Sequence, residues 1–450
     1  MLRNLSVVTL AAALVAACSS GESSGSGTTT TTTSHAGGSG GSGASGGTAG
    51  TAGTGGGGLC DTRFNLDGAT WSSENVSNTP GTISHDGSLA ITPSGVLAVA
   101  FAEPDSVNTS DQDIYFAQKT GSAFNTAAPL TSDTNVQNAY PSMVNDGETL
   151  HLVWNGYPAG DNDLFYASYT GSWSSRVDLT TPSEGNTPRE DFAPHLALGP
   201  NGELAVVYLS APDSQSPAEV RVLGIANGAP SGSPETVIPA GNDGCENPRI
   251  AFGVEGRLHV VADCGPLGTA SVWYATNDSG SWTSKVLAGG PNEDDTAPDI
   301  TACIPCMALH VVWQGRRGCG PTTCEDIRYA QGFMLTGEFE QPVDVTSTPS
   351  QPEGQPHITL DACQRPVVTY PRANANGFFD VFVTLSNDDG ASFVPESNVT
   401  PGTDDSDEWM PYSMVMHPVT HLPHLTYVHI VAGSDPLNTE VMHAELVPGP

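Results

Sequence analysis

The sequence predicts an all-β chain folded as a β-propeller, with seven four-stranded blades favoured and six as the alternative. Three observations predict it. A unit of about 50 residues repeats along the chain, each unit reads as four short strands, and the last unit lacks a strand that the N-terminal region can supply. Length alone allows two or three domains in 450 residues, but propellers run this long as one.

The first strand of each unit opens on proline and alternates in polarity. In most copies a turn containing Gly follows, and in most the second strand then ends in Trp or Tyr. Compare Pro141–Trp154 (PSMVNDGETLHLVW), Pro194–Tyr208 (PHLALGPNGELAVVY) and Pro248–Ala262 (PRIAFGVEGRLHVVA). Pro298–Trp313, Pro356–Tyr370 and Pro411–Tyr427 continue the series, and the prolines fall 50 to 58 residues apart. A weaker first copy spans Gly87–Phe101; were it not a blade, the ring would have six.

The third strand opens on an acid in six of seven copies: Asp113, Asp163, Glu219, Asp326, Asp380 and Glu440. The fourth begins at an aromatic and ends on Thr, as in Phe124–Thr131, Trp173–Thr180, Phe339–Thr346 and Phe393–Thr400. Period-two alternation and β-branched content make these strands rather than helices. The last unit stops after its third strand, at Val447, while Trp71–Ser77 fits the fourth-strand pattern. The N-terminal strand is therefore expected to complete the final blade, which removes an open sheet edge.

The propeller occupies residues 59–450. Residues 1–18 read as an export signal: Arg3, then an apolar run from Leu5 to Ala17 too short to span a bilayer. The ending Val15-Ala16-Ala17-Cys18 resembles a bacterial lipoprotein signal, in which the cysteine is lipidated. Residues 19–58 are Ser, Thr and Gly, a tether with a mean reach of roughly 35 Å. The expected location is the bacterial outer membrane or cell surface.

Eight cysteines follow Cys18, an even number that suits disulfides in an exported chain. Cys245 and Cys264 are equidistant from a hairpin centre, so they can face each other across two strands. Cys319 and Cys324 would close a short loop, leaving Cys60 and Cys363. Cys303 and Cys306 flank a hairpin tip, and with no second CxxC they argue against zinc.

The charge balance excludes partners. Asp and Glu total 49 against 14 Lys and Arg, a net charge of −35, with Lys119 and Lys285 the only lysines. Nucleic acid and anionic lipid both need clustered cations that this chain lacks.

Ser386–Phe393 (SNDDGASF) matches the Asp-box, S-x-D-x-G-x-[ST]-[WF], between the third and fourth strands of the sixth unit. Thr276–Trp282 is an eroded copy; Lys119–Phe124 and Tyr169–Trp173 keep the Gly and the aromatic. On these residues the chain resembles the sialidase-like, BNR-repeat propeller superfamily over residues 60–450. The resemblance implies that the box fastens a turn on the face away from the active site. It also implies that a catalytic member would carry an arginine triad, a Tyr–Glu pair and an acid Asp. The family's early F/Y-R-I-P motif is absent, and Pro248-Arg249-Ile250 is the nearest match.

Second-to-third and fourth-to-first connections are long and share one face, where binding residues usually sit. The first residue after each inner-strand proline should stand at the channel mouth there: Ser88 in the weak copy, then Ser142, His195, Arg249, Asp299, His357 and Tyr412. This position varies and stays polar while its neighbours repeat apolar types. Arg189, Arg316, Arg317 and Arg372 lie in nearby loops and either form a cationic pocket or pair with adjacent acids. Asp404, Asp405, Asp407 and Glu408 are candidate calcium ligands; no other cofactor is expected. His151, His259, His310 and His424 share one second-strand position and read as packing residues.

The expected function is a lipid-anchored propeller that binds a glycan or a cell-surface protein on its long-loop face without catalysis. Ligand candidates are His195, Arg249, Asp299, His357, Tyr412, Arg316 and Arg317. The alternatives are a sialidase-like glycoside hydrolase using Arg249, Asp299 and Tyr412, and an envelope scaffold.

Overall fold

The computed structural model describes residues 64–447, except 80–81, 106–107, 135, 159, 184–187, 279, 318–324, 349–350, 402–406 and 431–437. At 105, 108–110, 317 and 407–412 it describes the backbone alone. Cys18, the tether, Cys60, the Cys319–Cys324 pair, Asp404 and Asp405 lie outside the described residues.

Seven antiparallel sheets follow one another along the chain, each starting from its innermost strand. These innermost strands are His85–Ile91, Asn138–Asn145, Glu190–Leu198, Cys245–Phe252, Glu293–Cys303, His357–Leu360 and Asp407–Met416. They neighbour one another in that order, and the last neighbours the first. The fold is therefore a closed seven-bladed propeller, and the Gly87 copy is a full blade. The six-bladed alternative is excluded.

The seventh blade joins Asp407–Met416, Pro423–Ile430 and Thr439–Val447 to Thr70–Asn75 from the N-terminal region. The pairing runs antiparallel from Thr70↔Val447 to Asn75↔Met442, as the sequence predicts.

Apolar side chains collect in seven clusters, each spanning the interface between two successive blades. The cluster that closes the ring sets Val76 and Val441 of the last blade against Leu89, Val99 and Phe101 of the first. Cutting Leu89 back to alanine there would cost about 2–5 kcal/mol, because the rigid neighbours cannot fill the hole.

The repeated acid and the repeated Thr meet. The Thr131 hydroxyl donates to Asp113 Oδ1 at 2.6 Å, and Thr131 Oγ1 accepts from the Ile114 N–H at 2.9 Å. Asp163 and Thr180 repeat this at 3.1 Å, with the Leu164 N–H at 3.0 Å. In the last blade the partners come from opposite ends of the chain: the Ser77 hydroxyl donates to Glu440 at 2.8 Å and accepts from the Val441 N–H at 3.1 Å. In these three blades the recurring acid is thus a structural bond.

Three of the four second-strand histidines pack as expected. His151, His259 and His310 each place Nδ1 against a buried tyrosine hydroxyl, at 2.6, 2.7 and 2.6 Å. Cys245 and Cys264 face each other in register and are disulfide-bonded; Cys303 and Cys306 form a second disulfide.

The outer strands are shorter than predicted. The outer strands of the second and sixth blades are only Val177–Asp178, with an added bridge between Tyr169 and Trp173, and Ser397–Asn398; the first and fifth blades have two outer fragments apiece. A proline, which has no ladder donor, falls inside three of these four segments (Pro129, Pro342, Pro395). The third blade tolerates Pro230 and Pro234 in a ten-residue outer strand, at the expense of register shifts.

Candidate functional site at the channel mouth

The innermost strand of each blade is an edge, so its outer N–H groups need acceptors from elsewhere. At four ring positions the polar side chain supplies one to the next blade. Ser88 Oγ accepts from the Met143 N–H and Ser142 Oγ from the Leu196 N–H, both at 3.0 Å. His195 Nδ1 stands 3.4 Å from the Ile250 nitrogen, and Asp299 Oδ2 accepts from the Ile358 N–H at 2.9 Å. Arginine has no acceptor. Where Arg249 occupies this position, the Ile300 N–H bonds instead to Asp299 Oδ1 at 2.9 Å. Asp299 therefore serves two blades.

The structure brings four predicted residues together. His357 Nδ1 lies 3.2 Å from Asp299 Oδ2, and Arg249 Nε lies 3.9 Å from Asp299 Oδ1. Burial alone would raise the Asp299 carboxyl, but His357, Arg249 and His195 outweigh it and hold it at about 2. Burial, reinforced by Arg249 and partly offset by Asp299, lowers His195 to about 3, so it is a neutral imidazole. Burial also lowers Arg249, against the pull of Asp299 and Asp263.

Among the described residues, the loop arginines do not form a cationic pocket. Arg189 Nη2 pairs with Glu219 at 3.0 Å, Arg316 Nη2 with Asp294 at 2.8 Å and Arg372 Nη1 with Glu396 at 2.8 Å. In an acidic chain each exposed guanidinium finds a carboxylate close by. Arg249 differs: its side chain keeps 26% of its exposure, and its Nη1 donates to its neighbour's carbonyl, Pro248 O, at 3.0 Å. The side chains of Arg317, Tyr412, Asp407 and Glu408 lie outside what is described, though all four residues sit in strands.

Two features of this mouth are not in the sequence reading. The residue two before five of the seven ring positions bends into the left-handed region: Asp86 (φ 57°), Tyr140 (53°), Ala193 (51°), Asn247 (49°) and Ala297 (49°). The strand register shifts at each of these points, so every one is a bulge. Non-glycine residues hold this conformation at a cost that the surrounding blades must supply. Four of the five precede a proline, and proline inside a strand signals a bulge, so the pattern was available to find. Tyr140 is 44% exposed on this rim.

The second feature is Asp263, opposite Glu246 in the register. Burial pushes its carboxyl up to about 7, against hydrogen bonds from Asn247 Nδ2 at 2.9 Å and the Ala297 N–H at 3.1 Å. A pocket of about 310 Å³ lies against the innermost strands of the third, fourth and fifth blades. Leu196–Pro200, Ile250–Phe252, Ile300–Ala302 and Ile304 line it.

No protein-family model matches the chain, and no curated protein matches it in sequence. Solved structures share the fold. An ulvan lyase of polysaccharide lyase family PL25, bound to -[GlcA(1-4)Rha3S]-, is 10% identical with a TM-score of 0.51, covering 82% of this chain and 95% of that one. A protein of unknown function from Dyadobacter fermentans is 12% identical with a TM-score of 0.49, covering 83% and 98%. A sialidase from Trypanosoma rangeli, in complex with the inhibitor DANA, is 10% identical with a TM-score of 0.47, covering 83% and 59%. What the ulvan lyase shares with this chain is the β-propeller fold.

Proposed function

We propose that the chain is an exported, Cys18-anchored propeller that binds an anionic glycan at its long-loop channel mouth without cleaving it. Arg249 is the anchor for a carboxylate or sulfate, and His357 and the exposed Tyr140 are its flanking contacts. The observation that carries this is the division of labour in the ring. Ser88, Ser142, His195 and Asp299 are committed to holding blade edges, and the described loop arginines are closed by acids. Arg249, with its nearest carboxylate at 3.9 Å, keeps donors for a ligand. The saccharide held by the ulvan lyase is the ligand class this reading adopts.

A hydrolase is the second reading, and one observation favours it. Asp263, near 7, and Asp299, near 2, are two acids near Arg249 with their protonation states pushed apart, as glycoside hydrolysis requires. Against it, both carboxyls are buried, and Asp263 Oδ1 and Asp299 Oδ2 each accept from a backbone N–H of the ring.

A glycan array and a panel of fluorogenic glycosides, run on the same protein, separate the readings. Binding of acidic glycans that is lost in Arg249→Ala, with no turnover, supports the binder. Turnover abolished in Asp263→Asn would replace it with the hydrolase. Silence in both, with one protein recovered from the envelope, would replace it with a scaffold.

A further inference from the structure

The repeated His–Tyr pair breaks down in one blade. In the second, fourth and fifth blades the tyrosine sits two residues before the third-strand partner of the histidine. In the seventh, His424 pairs in register with Glu445, and the tyrosine position is His443. Two imidazoles and a carboxylate then converge. His424 Nδ1 lies 3.0 Å from His443 Nε2 and 3.4 Å from Glu445 Oε2. One ligand atom from each residue falls within 4.8 Å of the others. His443 is fully buried and His424 nearly so.

The tautomer is set from behind. His443 Nδ1 donates to Glu74 Oε1 at 3.1 Å, so Nε2 turns its lone pair toward His424. A carboxylate holding the far nitrogen of an imidazole is the usual support for a metal-bound histidine. A third imidazole is near: the His417 ring centroid lies 5.6 Å from that of His424. Its Nδ1 accepts from the Val419 and Thr420 N–H groups at 3.2 Å each, which leaves Nε2 to offer.

We propose that His424, His443 and Glu445 bind a divalent transition metal of the zinc class at the seam between the last and first blades. Two imidazoles and one carboxylate suit zinc. Tetrahedral bonds of about 2.0–2.1 Å put ligand atoms about 3.3 Å apart, and the observed 3.0 and 3.4 Å bracket that spacing. Water or His417 Nε2 fills the fourth position. Lys119 of the first blade stands 2.6 Å from Glu74 Oε1 and 3.1 Å from Glu445 Oε2, neutralising both carboxylates while no cation is bound. On loading, its ammonium withdraws onto Glu74. Because Glu74 belongs to Thr70–Asn75, the metal would tie the closing strand to the blade it completes.

The test is zinc titration of the full mature chain, stripped beforehand with a chelator, against a chromophoric competitor, with thermal midpoints read in parallel. Wild type should bind one equivalent and melt higher with zinc. His443→Tyr restores the pair used in three other blades, so it should fold, and it should lose both effects. Glu74→Gln should bind about 10- to 100-fold more weakly. Lys119→Met should bind more tightly, having lost a competing cation. No stoichiometric binding by wild type, or undiminished binding by His443→Tyr, would overturn the proposal.

Discussion

Ser77→Ala tests how the ring closes. The Ser77 hydroxyl is 4% exposed and bridges the two ends of the chain through Glu440 and the Val441 N–H. Removing it leaves a buried N–H without this acceptor, a loss of about 1–3 kcal/mol. Unfolding entropy of about 2.1 cal/mol/K per residue, over roughly 390 residues, comes to about 0.8 kcal/mol/K. A 2 kcal/mol loss therefore lowers Tm by about 2–3 °C. Thr131→Ala is the matched control, since it breaks the same pair of bonds inside the first blade without touching the chain ends. Calorimetry should show equal drops for the two variants and an additive drop for the double variant, the sites sharing no partner. A fall in Thr131→Ala with none in Ser77→Ala would refute the claim that the N-terminal strand holds the ring shut.

Other expected outcomes follow from single residues. The folded-state carboxyl of Asp263, at about 7, lies above its ordinary value, so the folded form holds its proton longer than the unfolded chain. Its effect on stability is therefore nil below about pH 4, grows increasingly unfavourable up to about pH 7, and is constant above. Asp263→Asn should raise Tm at pH 8 more than at pH 4.5, measured by calorimetry at both. Gly390 has φ +93°, and an added Cβ would fall 2.3 Å from the Tyr329 ring. Gly390→Ala should cost at least about 2 kcal/mol in chemical denaturation. Tyr329→Phe removes the hydroxyl that stands 2.6 Å from His310 Nδ1 and should cost about 1–2 kcal/mol by the same measurement.

The architecture was legible because a propeller repeats. Each blade restates its pattern, so Pro141, Pro194 and Pro248 mark equivalent positions without any knowledge of distant contacts. The Asp113–Thr131 bond could be suspected for the same reason, both residues recurring in register. The site was legible only as a set of positions. That Arg249, Asp299 and His357 meet depends on adjacent innermost strands, and their polarity was explained only by the next blade's unpaired N–H groups. Those groups belong to strand edges that no local pattern displays. Arg189, Arg316 and Arg372 were candidates by type, and their acid partners come from neighbouring strands and loops. His443 was invisible as a departure until the His–Tyr pair was seen in the other blades.

The most direct measurement of the central claim is calorimetric titration of an acidic oligosaccharide, a uronate- or sulfate-bearing one, into wild type and Arg249→Ala. The account predicts saturable binding by wild type that falls at least about tenfold in the variant, weakens with salt, and leaves the saccharide intact. Equal binding by both proteins, or cleavage of the saccharide during the titration, would contradict it.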